Sequence, residues 1–522
     1  MDDPTFTPAT ARLAASVVLV RRGAVSALEV FWVRRGAALK FAGGFHAFAG
    51  GRVDAADSAL PLTSRTRLAP DESASLAAAA RELFEETGVL AVPGAARVSQ
   101  KERTLVRMQL VARPERGKRE SSAHLFAEML ARHRLTVDAG AFLPAGRWIT
   151  PPSVPTRFDT RFYLLELPEG EAAEVWPGEL ADGAWIAPAL ALARWEDGTA
   201  LLHPPAWHTL KALESAAATS DPRQALPLLE DPARAPWRLP IREFVVERME
   251  FQRGVITVPL LTPTLPPATH TNCILLGDNQ LLVVDPGSPW KREQETLALA
   301  LDRLEAEGRA ARAILLTHFH LDHVAGAMAL SAARGLPIWA HAETAARLAG
   351  EVRVDRLIGD EDELPFGPRG FRALHLPGHT RGHLCLLERE SGAVIAGDLV
   401  AGQSTVVIDP PEGDMGDYLD SLSRLLGFAP QTLYPAHGQV IAGGQAALEQ
   451  LLAHRREREE KVLEALRQVA GAVQPSQLVP LAYPEVAPAL HPLAERSLLA
   501  HLLKLVRDGV ARQDQAGRFE LA

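Results

Sequence analysis

The stretch "ARAILLTHFHLDHVAGA", residues 311–327, runs an apolar strand-like segment into three histidines and an aspartate, then into small residues that read as a helix. A loop with four metal-ligating side chains at the end of a buried strand restricts this chain more than any other feature. His318 and His320 alternate in an extended loop and can reach one ion, while Asp322 and His323 can turn toward a second. Imidazoles with a carboxylate suit two Zn2+, with Mn2+ or Fe2+ as alternatives. Further ligands are needed, and His379 in "LPGHTRGH", Asp398 in "IAGDLV" and His437 in "YPAHG" each follow an apolar strand-like run. Such a pair of ions holds a hydroxide at neutral pH and polarises an electrophile, so the predicted chemistry is hydrolysis, with Asp322 among its catalytic groups.

At 522 residues the chain is long enough for two to four domains. With 47% hydrophobic and 23% charged residues it reads as globular, and a net charge of −9 argues against wholesale electrostatic binding of nucleic acid. Two cysteines, Cys273 and Cys385, make no disulfide framework and fit a reducing compartment as buried apolar residues. The N-terminus starts acidic and its apolar run is short, so neither a signal peptide nor a membrane partner is expected and the cytoplasm is the default location.

Residues 12–34 read as two β-rich runs, "HAFAGGRVDAAD" as a glycine loop, and "DESASLAAAARELFEETGVL" as a helix capped by Asp71 or Ser73 and stopped by Gly88. The Pro- and Ala-rich segment before residue 240 has weak periodicity and reads as a linker. After it, β-like and helical runs alternate as in an α/β sandwich. From about residue 445 a long charged helix leads to a second helix ending at Gly509 and a hairpin turned by "DQAG", the outline of a winged helix. The expected boundaries are 8–214, a linker at 215–242, 243–445 and 446–522.

The set His318, His320, Asp322, His323, His379, Asp398 and His437 resembles the metallo-β-lactamase superfamily, which implies an αββα sandwich. By that resemblance His318, His320 and His379 hold one metal, Asp322, His323 and His437 the other, and Asp398 bridges. Asp322 in place of the Cys of the main zinc lactamases favours thioester or phosphodiester hydrolysis. Residues 245–522, through "HTNCILLG", "PGHTRGHLCLL", "GDLVAGQSTVV" and "YPAHGQVI", resemble the lactamase-β-like endoribonuclease group. That implies cleavage of single-stranded RNA, with Asn272 as a substrate contact; thioester hydrolysis of the glyoxalase II kind is the rival. Arg455, Arg456, Arg458 and Lys461 could form a phosphate track, but Glu457, Glu459 and Glu460 interleave them and a solvated helix face is the better expectation. The winged helix could equally serve as a dimer surface or a lid, so an oligomer is left open.

In "RELFEETG", Glu82, Glu85 and Glu86 share one helical face, and carboxylates so placed suit Mg2+ or Mn2+ together with substrate phosphates. With Gly51, Arg81, Gly88 and Val89 they resemble the Nudix box, G-x5-E-x7-REUxEExGU, which implies an α/β/α sandwich and hydrolysis of a nucleoside diphosphate derivative. Asp57 stands where the first Glu belongs, and residues 58–73 would be a surface insertion. "RGAALKFAGGFHAFAGG" partly matches the coenzyme A diphosphatases, keeping Arg35, Gly44 and Phe48, with Arg35 and Phe48 as substrate contacts; Gly36, Lys40 and Ala49 depart from it. The resemblance implies action on coenzyme A or its acyl derivatives; a ligand-sensing domain without catalysis is the alternative. Trp148, Trp185 and Trp195 are expected in packing, and His454 in solvent.

Overall fold

In a computed structural model the chain is described over residues 6–522 except 24–27, 40, 64–66, 112–121, 177, 220, 238, 368 and 403–404, so Lys40 and part of the expected insertion lie outside the described residues. It divides into two compact units, with the boundary between Arg253 and Gly254.

The N-terminal unit is built on the strand Arg12–Arg21. This strand pairs in parallel with Phe158–Glu166 and antiparallel with Glu29–Arg35 and Ala49–Arg52. Its nearly unbroken apolar run is explained by burial on both faces: Ala15, Val17 and Leu19 enter one core, Val18 and Val20 the other. The helix Pro70–Thr87 covers the first face through Leu76, Leu83 and Phe84, and its small residues Ala77–Ala80, all buried, bring it close to the sheet. The helices Pro188–Glu196 and Pro204–Ala216 cover the second face, completing an α/β/α sandwich.

The start of Pro70–Thr87 differs from expectation. Ala69 takes the N-cap position, and Asp71 and Glu72 lie in the first turn, where the helix dipole favours acids; Glu72 also accepts from the Ala69 N–H at 3.1 Å. The C-terminal stop is as expected, with Gly88 at φ 77° and its N–H bonded to the Phe84 carbonyl.

The segment expected as a linker, 215–242, is folded onto the N-terminal unit. Ala225 and Leu229 are buried in the second core, Trp237 Nε1 donates to His208 Nδ1 at 2.9 Å, and the adjoining Val245 pairs with Ile149. Its helical periodicity is weak because it is cut into single turns; Asp221 and Asp231 each cap one, accepting from Arg223 N and Ala233 N. Residues 243–253 likewise belong to the N-terminal unit.

The C-terminal unit contains two sheets. One runs Val255–Leu261, His270–Leu276, Gln280–Val284, Ala310–Leu316, Ile338–Ala340 and Arg356–Leu357, becoming parallel at its third pair. The other runs Glu363–Leu364, Phe371–His375, Leu384–Glu388, Ala393–Gly397, Thr432–Pro435 and Ile441–Ala442. Lys291–Ala306 and Ala327–Arg334 pack on the first sheet, Met415–Leu426 and the start of Gly444–Gln468 on the second, giving the αββα layering. Gly444–Gln468 then continues into a third core, formed with Pro475–Ala482, His491–Arg507 and the hairpin Ala511–Gln513/Phe519–Leu521, the winged helix. Along that helix Arg456 and His454 are exposed as expected, but Arg455 is only 2% exposed, so the solvated-face expectation fails there. Cys273 and Cys385 are free and buried, and Trp148 and Trp195 are buried in packing. No helix among the described residues is long and apolar enough to cross a membrane.

Leu229→Ala should destabilise the N-terminal unit by about 2–4 kcal/mol, because it opens a cavity in a filled core. Urea unfolding followed by tryptophan fluorescence tests this; a true linker would leave the transition unchanged.

Candidate metal centres

In the C-terminal unit the seven predicted ligands converge. The ligating atoms of His318, His320, His379 and Asp398 lie within 4.8 Å of one another, and so do those of Asp322, His323 and His437. Asp398 joins the groups: its carboxylate is 3.6 Å from His379 Nε2, 3.5 Å from His323 Nε2 and 3.4 Å from His437 Nε2. The strand Ala310–Leu316 leads into His318, His320, Asp322 and His323, with His320 at the N-cap of the short turn Leu321–Val324.

Contacts behind the rings determine which nitrogens face inward. His379 Nδ1 is 2.9 Å from the Val407 carbonyl and His437 Nδ1 is 3.0 Å from the His270 carbonyl. A carbonyl only accepts, so each Nδ1 carries the proton and each Nε2 of a neutral ring presents a lone pair to the centre. Thr317 Oγ1 donates to Asp285 at 2.6 Å and thus accepts from His318 Nδ1 at 3.0 Å, which turns His318 Nε2 inward as well. Three lone-pair nitrogens crowd together, His320 Nδ1 lying 3.0 Å from His318 Nε2 and 2.9 Å from His379 Nε2. His323 Nε2 is buried with no hydrogen-bond partner among the described residues. This donor set fits two divalent cations.

The electrostatics agree. Burial, reinforced by neighbouring imidazoles, holds His318 well below its usual range and His320 at about 3, so both are neutral. Burial also opposes charge on His437, but Asp398 and Asp322 outweigh it and push His437 up to about 10. A proton and a cation compete for that nitrogen.

Sequence reasoning missed Asp285. It is buried, accepts from Thr317 N at 2.8 Å and pairs with His323 Nδ1 at 2.8 Å. The signal was present as an acid ending the apolar run "LLVVDPG". His383, the second histidine of "GHTRGH", was also missed: its Nε2 accepts from the Asp398 N–H at 3.0 Å. Two glycines permit these approaches; a Cβ at Gly287 would meet the Asp322 carbonyl, and one at Gly397 would meet His383. Asn272, expected as a substrate contact, donates to the Pro435 and Gly438 carbonyls at 3.0 and 2.9 Å, holding the loop that carries His437.

In the N-terminal unit Arg81 organises the carboxylates. It is 2% exposed and binds Asp57 through Nε and Nη2 at 2.8 and 2.9 Å, while Nη1 reaches Glu82 at 2.8 Å and Glu85 at 3.3 Å. Asp57 is therefore the partner of Arg81, and its shorter reach is matched by the short turn Ala55–Ala59 that carries it. Glu86 accepts from the Gly50 N–H at 2.8 Å, and a Cβ at Gly51 would collide with the Glu82 carboxylate. Burial and Glu82 push Glu85 up to about 7, and the same two causes raise Glu86. A bound cation would favour the charged forms of these carboxylates. Among the described residues the two histidine-containing groups converge this closely, and Glu82, Glu85 and Glu86 do not bring their oxygens within 4.8 Å of one another. Arg35 pairs with Glu179 at 3.2 Å, whereas Phe48 is 7% exposed and lies within the second core.

Comparison with known proteins matches residues 266–437 to the metallo-beta-lactamase superfamily, 475–518 to the beta-lactamase associated winged helix domain and 60–213 to the NUDT19 Nudix domain. Lactamase-like protein GME11357 of Pestalotiopsis microspora is 30% identical over 46% of this chain and 76% of its own length. The chain belongs to the metallo-beta-lactamase superfamily. The Beta-lactamase-like protein 2 homolog of Drosophila melanogaster is 28% identical over 51% of this chain and 92% of its own. The Atrochrysone carboxyl ACP thioesterase of Claviceps purpurea is 31% identical over 40% of this chain and 63% of its own. This superfamily member also carries a Nudix domain, and its families make it a metal-dependent hydrolase.

Asp285→Asn should weaken metal binding by the Asp322, His323 and His437 group by about 10–100-fold, because an amide cannot replace both acceptor oxygens. Chelator competition with metal analysis measures this; unchanged affinity would remove Asp285 from the ligand-orienting role.

Proposed function

We propose that the C-terminal centre hydrolyses thioesters and that the Nudix domain cleaves the diphosphate of coenzyme A or its acyl derivatives. The observation carrying the first half is the state of the cationic side chains proposed for a phosphate track. Arg455 is buried, Arg458 pairs with Glu485 and Lys461 with Glu457 at 2.8 Å; nearby, Arg496 pairs with Asp409 at 3.0 Å. That leaves Arg456 as the exposed arginine of the track, and one such cation offers little to an RNA backbone, whose binding depends on neutralising several phosphates. The thioesterase named among the relatives supports the same reading.

Two Zn2+, or Mn2+ or Fe2+, held by the seven ligands would supply an activated water and a polarised carbonyl. The chain's own contribution is to orient the imidazoles through Val407, His270, Thr317 and Asp285 and to hold His318 and His320 neutral by burial, with Asp322 and Asp398 ionised. In the Nudix domain, Glu82, Glu85 and Glu86 would hold Mg2+ or Mn2+ against the diphosphate. Asp57 takes Nε and Nη2 of Arg81 while Nη1 reaches Glu82 and Glu85, so one guanidinium offsets only part of the charge of this cluster and capacity for cations remains, which favours catalysis over ligand sensing alone.

The test is a hydrolysis screen of the full chain with defined metals against acyl-coenzyme A, acyl-carrier thioesters, ADP-ribose and single-stranded RNA. Thioester cleavage abolished by His320→Ala or Asp398→Ala is expected; metal-dependent RNA cleavage without thioester cleavage would replace this reading. Release of 3′,5′-ADP and phosphopantetheine from coenzyme A is the expected Nudix reaction. Glu85→Gln should lower its kcat by about 100-fold with little change in KM, since the amide removes charge from the cation site and leaves the helix intact. No cleavage of any nucleoside diphosphate derivative with either metal would favour the sensor alternative.

A further inference from the structure

We infer that Arg455, on the helix leading into the winged-helix domain, is a positioning residue for the metal centre, bracing both His379 and Asp398 from behind. Its Nη2 donates to the Val406 carbonyl at 2.6 Å, and the next residue, Val407, supplies the carbonyl that fixes His379 Nδ1 at 2.9 Å. The same guanidinium lies 5.2 Å from the centroid of the buried Tyr418 ring. Tyr418 in turn donates its hydroxyl to the Leu399 carbonyl at 2.8 Å, one residue after Asp398. One side chain thus touches the backbone beside one ligand and the ring that braces the backbone beside another.

The surroundings leave little slack in this arrangement. Gly378, immediately before His379, has φ 135° and lies so close to Tyr418 that a Cβ there would collide with its backbone. The Gly378 carbonyl accepts from Asp414 N at 2.9 Å, at the start of the helix carrying Tyr418. Arg496, from the winged helix, pairs with Asp409 in the same loop at 3.0 Å. A guanidinium buried to this degree would carry a large desolvation cost if it served only as a surface charge. Its planar fork suits simultaneous contact with a carbonyl and a ring face, which an ammonium does not reproduce. The helix Gly444–Gln468, on this inference, contributes to catalysis by fixing ligand geometry from behind the ligands, at the point where it leaves the second-sheet core for the winged helix.

The experiment measures metal affinity, and so does not depend on which substrate the centre hydrolyses. Full-length Arg455→Met, Arg455→Lys and the exposed control Arg456→Met are loaded with Zn2+ and titrated with a chelator, with the thermal transition of the metal-free proteins recorded alongside. Arg455→Met should lose about tenfold in affinity, at the lower end for contacts behind metal ligands, with a metal-free melting temperature matching the control. Arg455→Lys should fall between, since it keeps the charge and loses the fork. Affinity within twofold of the control for Arg455→Met would overturn the inference. If Arg455→Met does not fold, Arg455→Lys decides: unchanged affinity overturns it and a severalfold loss supports it. A failed thioesterase screen with these affinity losses intact would refute the proposed substrate and leave the positioning role standing.

Discussion

The buried carboxylate of Asp285 is the interaction on which the C-terminal centre depends. It accepts from the backbone and side chain of Thr317, which fixes the end of the strand carrying the ligand loop, and it accepts a hydrogen bond from His323 Nδ1. Through Thr317 it also sets His318. Without that acceptor the His323 ring would be a buried polar group free to turn, and the strand end would lose two hydrogen bonds. Asp285 adopts φ 51°, a left-handed conformation that aspartate tolerates better than most residues. The turn it forms brings Gly287 against the Asp322 carbonyl, so anchor and ligand loop pack as one element.

The N-terminal unit solves a related problem with the opposite sign of charge. Three glutamates on one face of a partly buried helix repel each other, and Arg81 offsets part of that repulsion from beneath. Burial opposes the Arg81 charge, and Glu82 and Asp57 outweigh it. Arg107 supports the far end of the same helix, donating to the Glu85 and Glu86 carbonyls at 3.3 and 3.1 Å, where a cation suits the helix dipole.

The helix Gly444–Gln468 explains why the winged helix is more than an appendage. Leu448 and Leu452 belong to the core of the second sheet, and Val462, Ala465 and Leu466 to the core of the tail. A continuous helix shared by two cores transmits position from one to the other. Arg455 lies between these two sets, where the helix passes the loop behind His379.

What the sequence determined by itself is the identity of the chemistry: seven ligands at the ends of apolar runs, and the RELFEETG helix with its Gly50–Gly51 loop, are local patterns because strand ends and helix faces are local. The α/β/α and αββα layers were implied by the two resemblances, and the alternation of apolar runs with helical ones by itself indicated an α/β sandwich. What only the tertiary structure decided depends on residues distant in sequence. The roles of Asp285, His383, Asn272 and Asp57 come from partners 15 to 166 positions away, and a single acid or amide in a strand carries no mark of which partner it will meet. The segment 215–242 looked like a linker because its turns are too short to show periodicity, yet Leu229 is in the core. Arg455 sits in a run of charges indistinguishable from its neighbours, and one helical rotation, set by packing against Val406 and Tyr418, buries it while Arg456 faces solvent.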